Sequence, residues 1–267
     1  MRNTFGVYLQ VYKMQIIRSL TYKFDVYGNI LMQLIIMAAN SFFWKAIFRN
    51  STTMKGVTVD TMLTYTVISS ILSILLTTNV ERRLNNSVRK GTIAIDMMRP
   101  INLYGIFLAE DLAAVTALIF QNALPVLLIG CLLIKVPAPA SATSLVWFLI
   151  SITMAFCINW LFAVIFGMWS FVSMEMDAMI QLKKHLLRLL SGSIIPVWFF
   201  PGWLRNILQL FPFVYLYQLP LDIYIGKCDR ATLIKGLCVQ GLWIVVLLAC
   251  FLFLQNRISK RVMIQGG

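Results

Sequence analysis

Apolar and polar positions follow two different patterns along this chain. Over the first 26 residues, Phe5, Leu9, Tyr12, Ile16, Leu20 and Phe24 recur every three or four positions, with Arg2, Lys13, Arg18 and Lys23 around them. That spacing predicts a basic amphipathic helix over residues 1–26, of the kind that lies in the headgroup layer of an anionic leaflet. From Tyr27 onward the alternation gives way to continuous apolar runs. They cover about 27–48, 57–79, 104–134, 144–172, 178–200 and 233–254. Each approaches or exceeds the roughly 20 residues with which a helix crosses the hydrocarbon layer. The third run is most apolar from Leu112, and the fourth is long enough that it is expected to tilt. The fifth is the weakest, because Lys183, Lys184, His185 and Arg188 occupy its start and Pro196 and Pro201 its end.

The connections are short and polar. Arg49 and Lys55 lie in the first, and the turn Lys135-Val136-Pro137-Ala138-Pro139 separates the third and fourth runs. No stretch of domain size is left over, so residues 27–267 are expected to form a single transmembrane domain. The overall balance agrees: 60% of the 267 residues are hydrophobic and 12% charged, where a soluble domain carries roughly a quarter charged residues. Residues 1–26 are too long and too polar for a cleavable signal, so the first span is expected to remain in the mature protein.

A net charge of +13 raises the question of nucleic acid, but the basic residues are dispersed among the connections and form no single face. Orientation accounts for them better. The leader, residues 80–103, the cluster Lys183, Lys184 and Arg188, and the tail Arg257, Lys260 and Arg261 hold 15 Lys and Arg. The opposite set, Arg49, Lys55, Lys135, Arg205, Lys227, Arg230 and Lys235, holds 7. The positive-inside rule then puts both termini in the cytoplasm, which requires an even number of crossings and keeps the weak fifth run as a span. The expected fold is therefore an all-α polytopic membrane protein with six transmembrane helices. Cys131, Cys157, Cys228, Cys238 and Cys250 show no metal-ligand spacing, and neither a disulfide framework nor a zinc site is expected.

Four stretches carry candidate chemistry. Between Pro196 and Gly226, aromatic residues including Trp198, Trp203, Phe211 and Tyr217 are interrupted by Pro201, Pro212 and Pro220. Prolines this dense exclude one straight helix, and two apolar pieces of about ten residues suit a re-entrant helical hairpin at 201–226 on the outer side. An aromatic belt around a long loop is the plainer alternative. Residues 80–103 combine Glu81, Arg82, Arg83, Arg89, Lys90, Asp96 and Arg99 with apolar Ile93, Ile95, Met97 and Met98. That mixture suits docking of a soluble partner, although a basic connection is also the default on this side.

In the second span Thr61, Tyr65, Ser69, Ser73 and Thr77 recur every four residues, and Asn29 and Gln33 share a face of the first. Such faces line a polar path or pack helices closely. Glu110, Asp111, Glu175 and Asp177 lie at span ends, where solvated or salt-bridged roles are ordinary. His185, the one histidine, stands among cations and suits neither a dyad nor a metal. No phosphate-binding Gly-x-x-x-x-Gly-Lys-Ser/Thr loop is present, so the chain is not expected to hydrolyse ATP by itself.

Two segments resemble type-2 ABC exporter permeases, in particular the stand-alone membrane subunits of about this length. One is Gly91-Thr92-Ile93-Ala94-Ile95-Asp96-Met97-Met98-Arg99-Pro100. The other runs from Ser191-Gly192-Ser193-Ile194-Ile195-Pro196 through Phe200-Pro201-Gly202-Trp203-Leu204 to Phe211-Pro212-Phe213 and Tyr224-Ile225-Gly226. The resemblance implies a bacterial cell-membrane permease without a cofactor of its own. It further implies coupling to a separate ABC ATPase, in two copies carrying ATP and Mg, through Arg82, Arg83, Arg89, Lys90, Asp96 and Arg99. A second permease, identical or homologous, would complete a translocation path along Thr61, Tyr65, Ser69, Ser73, Thr77, Asn29 and Gln33, with Pro196, Pro201, Trp203 and Pro212 shaping the hairpin. Membrane lipids are expected partners and nucleic acid is not. A secondary carrier would call for inverted repeats, and a lipid-processing membrane enzyme for clustered nucleophile chemistry; neither pattern stands out.

Overall fold

A computed structural model describes residues 4–21, 23–50, 52–98, 100–134, 137, 141–173 and 176–265. Arg2, Arg99, Glu175, Lys135, Val136, Ala138 and Pro139, all used above, lie outside the described residues.

The helical periodicity of the leader becomes α1 (Thr4–Thr21), followed by α2 (Lys23–Ile47) and a 3₁₀ turn at Phe48–Asn50. The first connection folds into a two-stranded hairpin, β1 (Thr53–Met54) and β2 (Val57–Thr58), paired antiparallel. It turns at Lys55 and Gly56, both with positive φ. Thr58 then starts α3 (Val59–Leu75) by accepting from the Thr61 amide at 3.3 Å, which satisfies one of the free N–H groups of the first turn.

The helix breaks at Leu76–Asn79, and the charged connection forms α4 (Val80–Arg89) and the short α5 (Ile93–Met98), separated at Gly91. The third apolar run is α6 (Leu103–Leu118), capped by Asn102, and α7 (Leu124–Ile134), joined through a π turn at Ile119–Ala123. Pro125 explains the wide turn: it has no N–H for the Gln121 carbonyl and its ring crowds that carbonyl, so the ladder widens just ahead of it. The fourth run is α8 (Ala142–Gly167), capped by Ser141 and ended by a 3₁₀ turn at Met168–Phe171. Then come α9 (Asp177–Leu190), α10 (Gly202–Gln209), α11 (Val214–Tyr224) and the long α12 (Arg230–Gln265).

Among the described residues, five helical stretches are long and apolar enough to cross a membrane: Val26–Asn50, Val59–Arg89, Leu103–Ile134, Ala142–Phe171 and Arg230–Ile258. The fold is thus all-α and polytopic. The expected fifth span, 178–200, contains the 14-residue α9, which is below the crossing length on its own.

α3 is the central element, with every residue from Met62 to Ser70 buried. Lipid tails are as apolar as leucine, so burial here reflects close packing more than a water-driven effect. Tyr65, Leu72, Leu84, Ile158 and Leu221 join α3, α4, α8 and α11 in one core. A smaller cluster of Met37, Val67 and Val126 joins α2, α3 and α7. α1 packs along α6: Tyr12 donates to Thr116 Oγ1 at 2.9 Å, and the Gln121 amide donates to the Ser19 carbonyl at 3.3 Å. Tyr12 and Ile16 therefore turn toward the protein, while Phe5, Leu9, Met14, Ile17 and Leu20 remain exposed beside Lys13 and Arg18.

Candidate functional site

The hydroxylated stripe of α3 divides into two parts with different surroundings. Its N-terminal part moors a break in the backbone. After α9 the chain leaves helical geometry over Ser191–Pro196, and carbonyls that no helix satisfies need donors. The Tyr65 hydroxyl donates to the Gly192 carbonyl at 2.5 Å and lies 3.1 Å from Gln218 Oε1. Ser69 Oγ donates to the Ser193 carbonyl at 2.6 Å. Gln218 on α11 completes the junction by accepting from the Val197 amide at 2.8 Å and donating to Asp222 Oδ1 at 2.8 Å. Gly192 has φ +84, and a Cβ there would sit 2.6 Å from Gln218 Oε1, so both conformation and space require glycine. Thr61 belongs to the N-terminal cap of α3. Tyr65, Ser69 and Thr61 are thus engaged internally, and none of them lines the cavity at the other end of the stripe.

The C-terminal part of the stripe does. Ser73 and Thr77, with Asn29 and Gln33 of α2, line a cavity of about 490 Å³. Gln33 Nε2 donates to the Ser70 carbonyl at 2.9 Å and to Ser73 Oγ at 3.0 Å, tying the two polar faces together. The remaining walls were not read as site residues from the sequence. Asn122 arrives from the π turn, and Asn159 comes from the middle of α8, where its amide donates to the Leu76 carbonyl at 2.6 Å, at the break after α3. Glu81, Lys183, Lys184 and Arg188 close the end next to α4, and Tyr217 comes from α11. A mid-span asparagine and a proline in an apolar run are signals that could have pointed to Asn159 and Asn122.

At that end lies a buried ionic cluster. Lys183 donates to Glu81 Oε2, and Lys184 Nζ lies 3.7 Å from Oε1. The Lys183 ammonium also faces the Phe162 and Phe166 rings at 5.6 and 5.3 Å. α4 reaches this position because Gly167 of α8 has no side chain: a Cβ there would lie 2.9 Å from Glu81 Cα.

The other charges of residues 80–103 take distinct roles. Arg83 turns inward, donating to Glu110 Oε2 at 2.5 Å and lying 3.6 Å from Asp111 Oδ1, which also accepts from the Asn79 amide at 3.2 Å. Arg89 and Asp177 form an exposed pair at 3.8 Å. Arg82 and Lys90 are exposed, and Asp96 is half-buried on α5. The same short helix holds Ile95 and Met98, 63% and 85% exposed.

In the segment expected to form a hairpin, Pro196 and Pro212 are buried, Pro201 precedes α10, and Trp203 is exposed. α11 runs along α8, Phe213 against Phe162 at one end and Tyr224 against Phe148 at the other. Tyr224 also donates to the Pro137 carbonyl at 3.2 Å. No curated protein matches this chain. A family model described as ABC-2 family transporter protein matches residues 34–266, which take in both the cavity and the α4–α5 unit, and the chain belongs to that family.

Proposed function

We propose that this chain is the permease subunit of an ATP-driven exporter, in which α4 and α5 receive the motion of a separate ATPase and the cavity under α3 forms part of the translocation path. The observation that carries this is the way α4 is fastened. Through Glu81 it holds α9, through Arg83 it holds α6, and it continues from the end of α3. α5 meanwhile presents Ile95 and Met98 outward, an apolar contact a soluble partner can cover. A push on α5 would therefore be carried by α4 to α9 and α3, two walls of the cavity.

The topology we propose has six crossings. α9 with residues 191–200 supplies the missing one: Lys183 meets Glu81 beyond the inner end of α3, and Phe199 packs on Trp44 near the other end of α2, ring centroids 5.2 Å apart. α10 and α11 then form the re-entrant hairpin, with the Phe211–Phe213 turn deep beside Phe162 and Tyr224 at the outer side. α1 lies at the cytoplasmic interface with its exposed apolar side in lipid. Two permeases, with Ser73, Thr77, Asn29 and Gln33 on the shared path, and two ATPases make the working unit in the cell membrane, both termini cytoplasmic.

Affinity purification of the full chain from its native membrane, in mild detergent, tests this. Recovery of a phosphate-loop ATPase in equal amount, lost when Ile95 and Met98 are both changed to Asp, is the expected result. Transport driven by an ion gradient after ATP depletion, with no ATPase recovered, would overturn the exporter reading in favour of a carrier.

A further inference from the structure

Resting on the permease reading and deepening it, we propose that the cavity takes an anionic amphiphile, a molecule with a phosphate-like headgroup on an apolar tail. Its basic wall comes from α9, where Lys183, Lys184 and Arg188 face one carboxylate, Glu81. Lys183 already occupies Glu81, and Lys184 shares it at 3.7 Å. Among the described residues no carboxylate lies within ion-pair distance of Arg188. Among its described lining residues, the pocket therefore holds two cationic charges beyond what Glu81 neutralises.

Among the described residues, the facing wall adds none of the missing negative charge. It consists of amides and hydroxyls: Asn29, Gln33, Ser73, Thr77 and Asn122. Asn122 is 3% exposed and its Oδ1 is buried without a hydrogen-bond partner among the described residues. Lys183 and Glu81 are buried and Lys184 and Arg188 half-buried, where charges interact more strongly than in bulk water, so a cationic cargo is repelled here and an anionic one held by charge-assisted hydrogen bonds. Orientation alone would be served by cations reaching bulk water, whereas Lys183 is only 8% exposed.

The tail follows from what flanks the charges. Met32, Leu118 and Leu216 line the same cavity. α2 and α9 continue outside it with exposed Leu31, Ile35, Leu182, Leu186 and Leu189, an apolar approach suited to a chain arriving from the bilayer. A volume of about 490 Å³ accommodates a headgroup and the start of a tail.

The test places Ser73→Cys in the full chain, with the native cysteines replaced, in phosphatidylcholine nanodiscs together with its ATPase. Maleimide labelling of the introduced thiol is followed against dodecyl phosphate, dodecyl phosphocholine, dodecyltrimethylammonium and inorganic phosphate. Dodecyl phosphate should protect at about tenfold lower concentration than either other amphiphile. That advantage should vanish in Arg188→Gln, shrink in Lys184→Gln and survive in Arg188→Lys. Equal protection by all three amphiphiles, unchanged in Arg188→Gln, overturns the anionic assignment while leaving the path intact. Protection by inorganic phosphate as good as by dodecyl phosphate overturns the amphiphile. Labelling that is identical with and without ATP and vanadate overturns the permease reading itself.

Discussion

Glu81 at the start of α4 and Lys183 in the middle of α9 form an ion pair inside the protein, across 102 residues of sequence. The Glu81 side chain is fully buried and that of Lys183 nearly so, which makes each the main electrostatic support of the other. Removing one partner of such a pair leaves a buried charge without compensation. Lys183→Ala or Glu81→Ala should therefore lower stability by about 3–5 kcal/mol in a reversible detergent unfolding titration. The double variant Glu81→Leu with Lys183→Met should recover most of the loss, because no lone charge remains. Equal losses in the single and double variants would show that packing, not charge, dominates there.

Arg83 serves the opposite face of α4. It stands between Glu110 and the fully buried side chain of Asp111. Arg83→Ala should cost about 1–3 kcal/mol in the same unfolding titration, the range for an unsatisfied buried polar group. Arg82→Ala, at an exposed position one residue away, should stay within about 0.5 kcal/mol of the parent. A large effect of the second substitution would mean that Arg82 has a partner outside this chain.

The junction at Gly192 should be intolerant of any side chain. Gly192→Ala has to adopt φ near +84 and meets Gln218 Oε1, so a loss of at least about 1–2 kcal/mol is expected from the backbone alone. Tyr65→Phe removes the donor to the Gly192 carbonyl and should cost about 1–3 kcal/mol. Limited proteolysis between α9 and α11 is the direct readout: both variants should be cut faster within 191–213 than the parent. Unaltered cleavage would mean the turn is held by other contacts.

At the exposed end, Ile95→Asp and Met98→Asp should each weaken association with the proposed ATPase by about tenfold or more, as loss of a buried apolar side chain predicts. Thermal stability of the isolated chain should hardly move, since both side chains are exposed. A drop in melting temperature without a change in affinity would reassign α5 to folding.

Much of this fold was readable from local order. Apolar runs near 20 residues announce crossing helices wherever they occur, and five of them are long, apolar helices in the structure. Positive φ at Gly91 and the amphipathic α4 follow equally from nearby residues. The expected fifth span, 178–200, was less legible: α9 stops at Leu190, short of a crossing length, and residues 191–196 leave helical geometry without a periodic signature.

The site was legible only in part. Ser73, Thr77, Asn29 and Gln33 reach a common cavity, while Tyr65 and Ser69, on the same stripe with the same chemistry, secure a turn more than a hundred residues later. Nothing in a four-residue repeat distinguishes a hydroxyl beside empty space from one beside a carbonyl.

The sequence by itself determined that this chain is a bundle of membrane-crossing helices joined by short polar connections. That information is local: it rests on whether each run of side chains is better solvated by hydrocarbon or by water. Tertiary structure alone decided which polar groups satisfy one another. Glu81 found Lys183, Arg83 found Glu110, and Asn159 found the Leu76 carbonyl through packing between helices distant in the chain. A buried polar group takes its role from the partner that packing brings within about 3 Å, and no pattern along one helix specifies that neighbour.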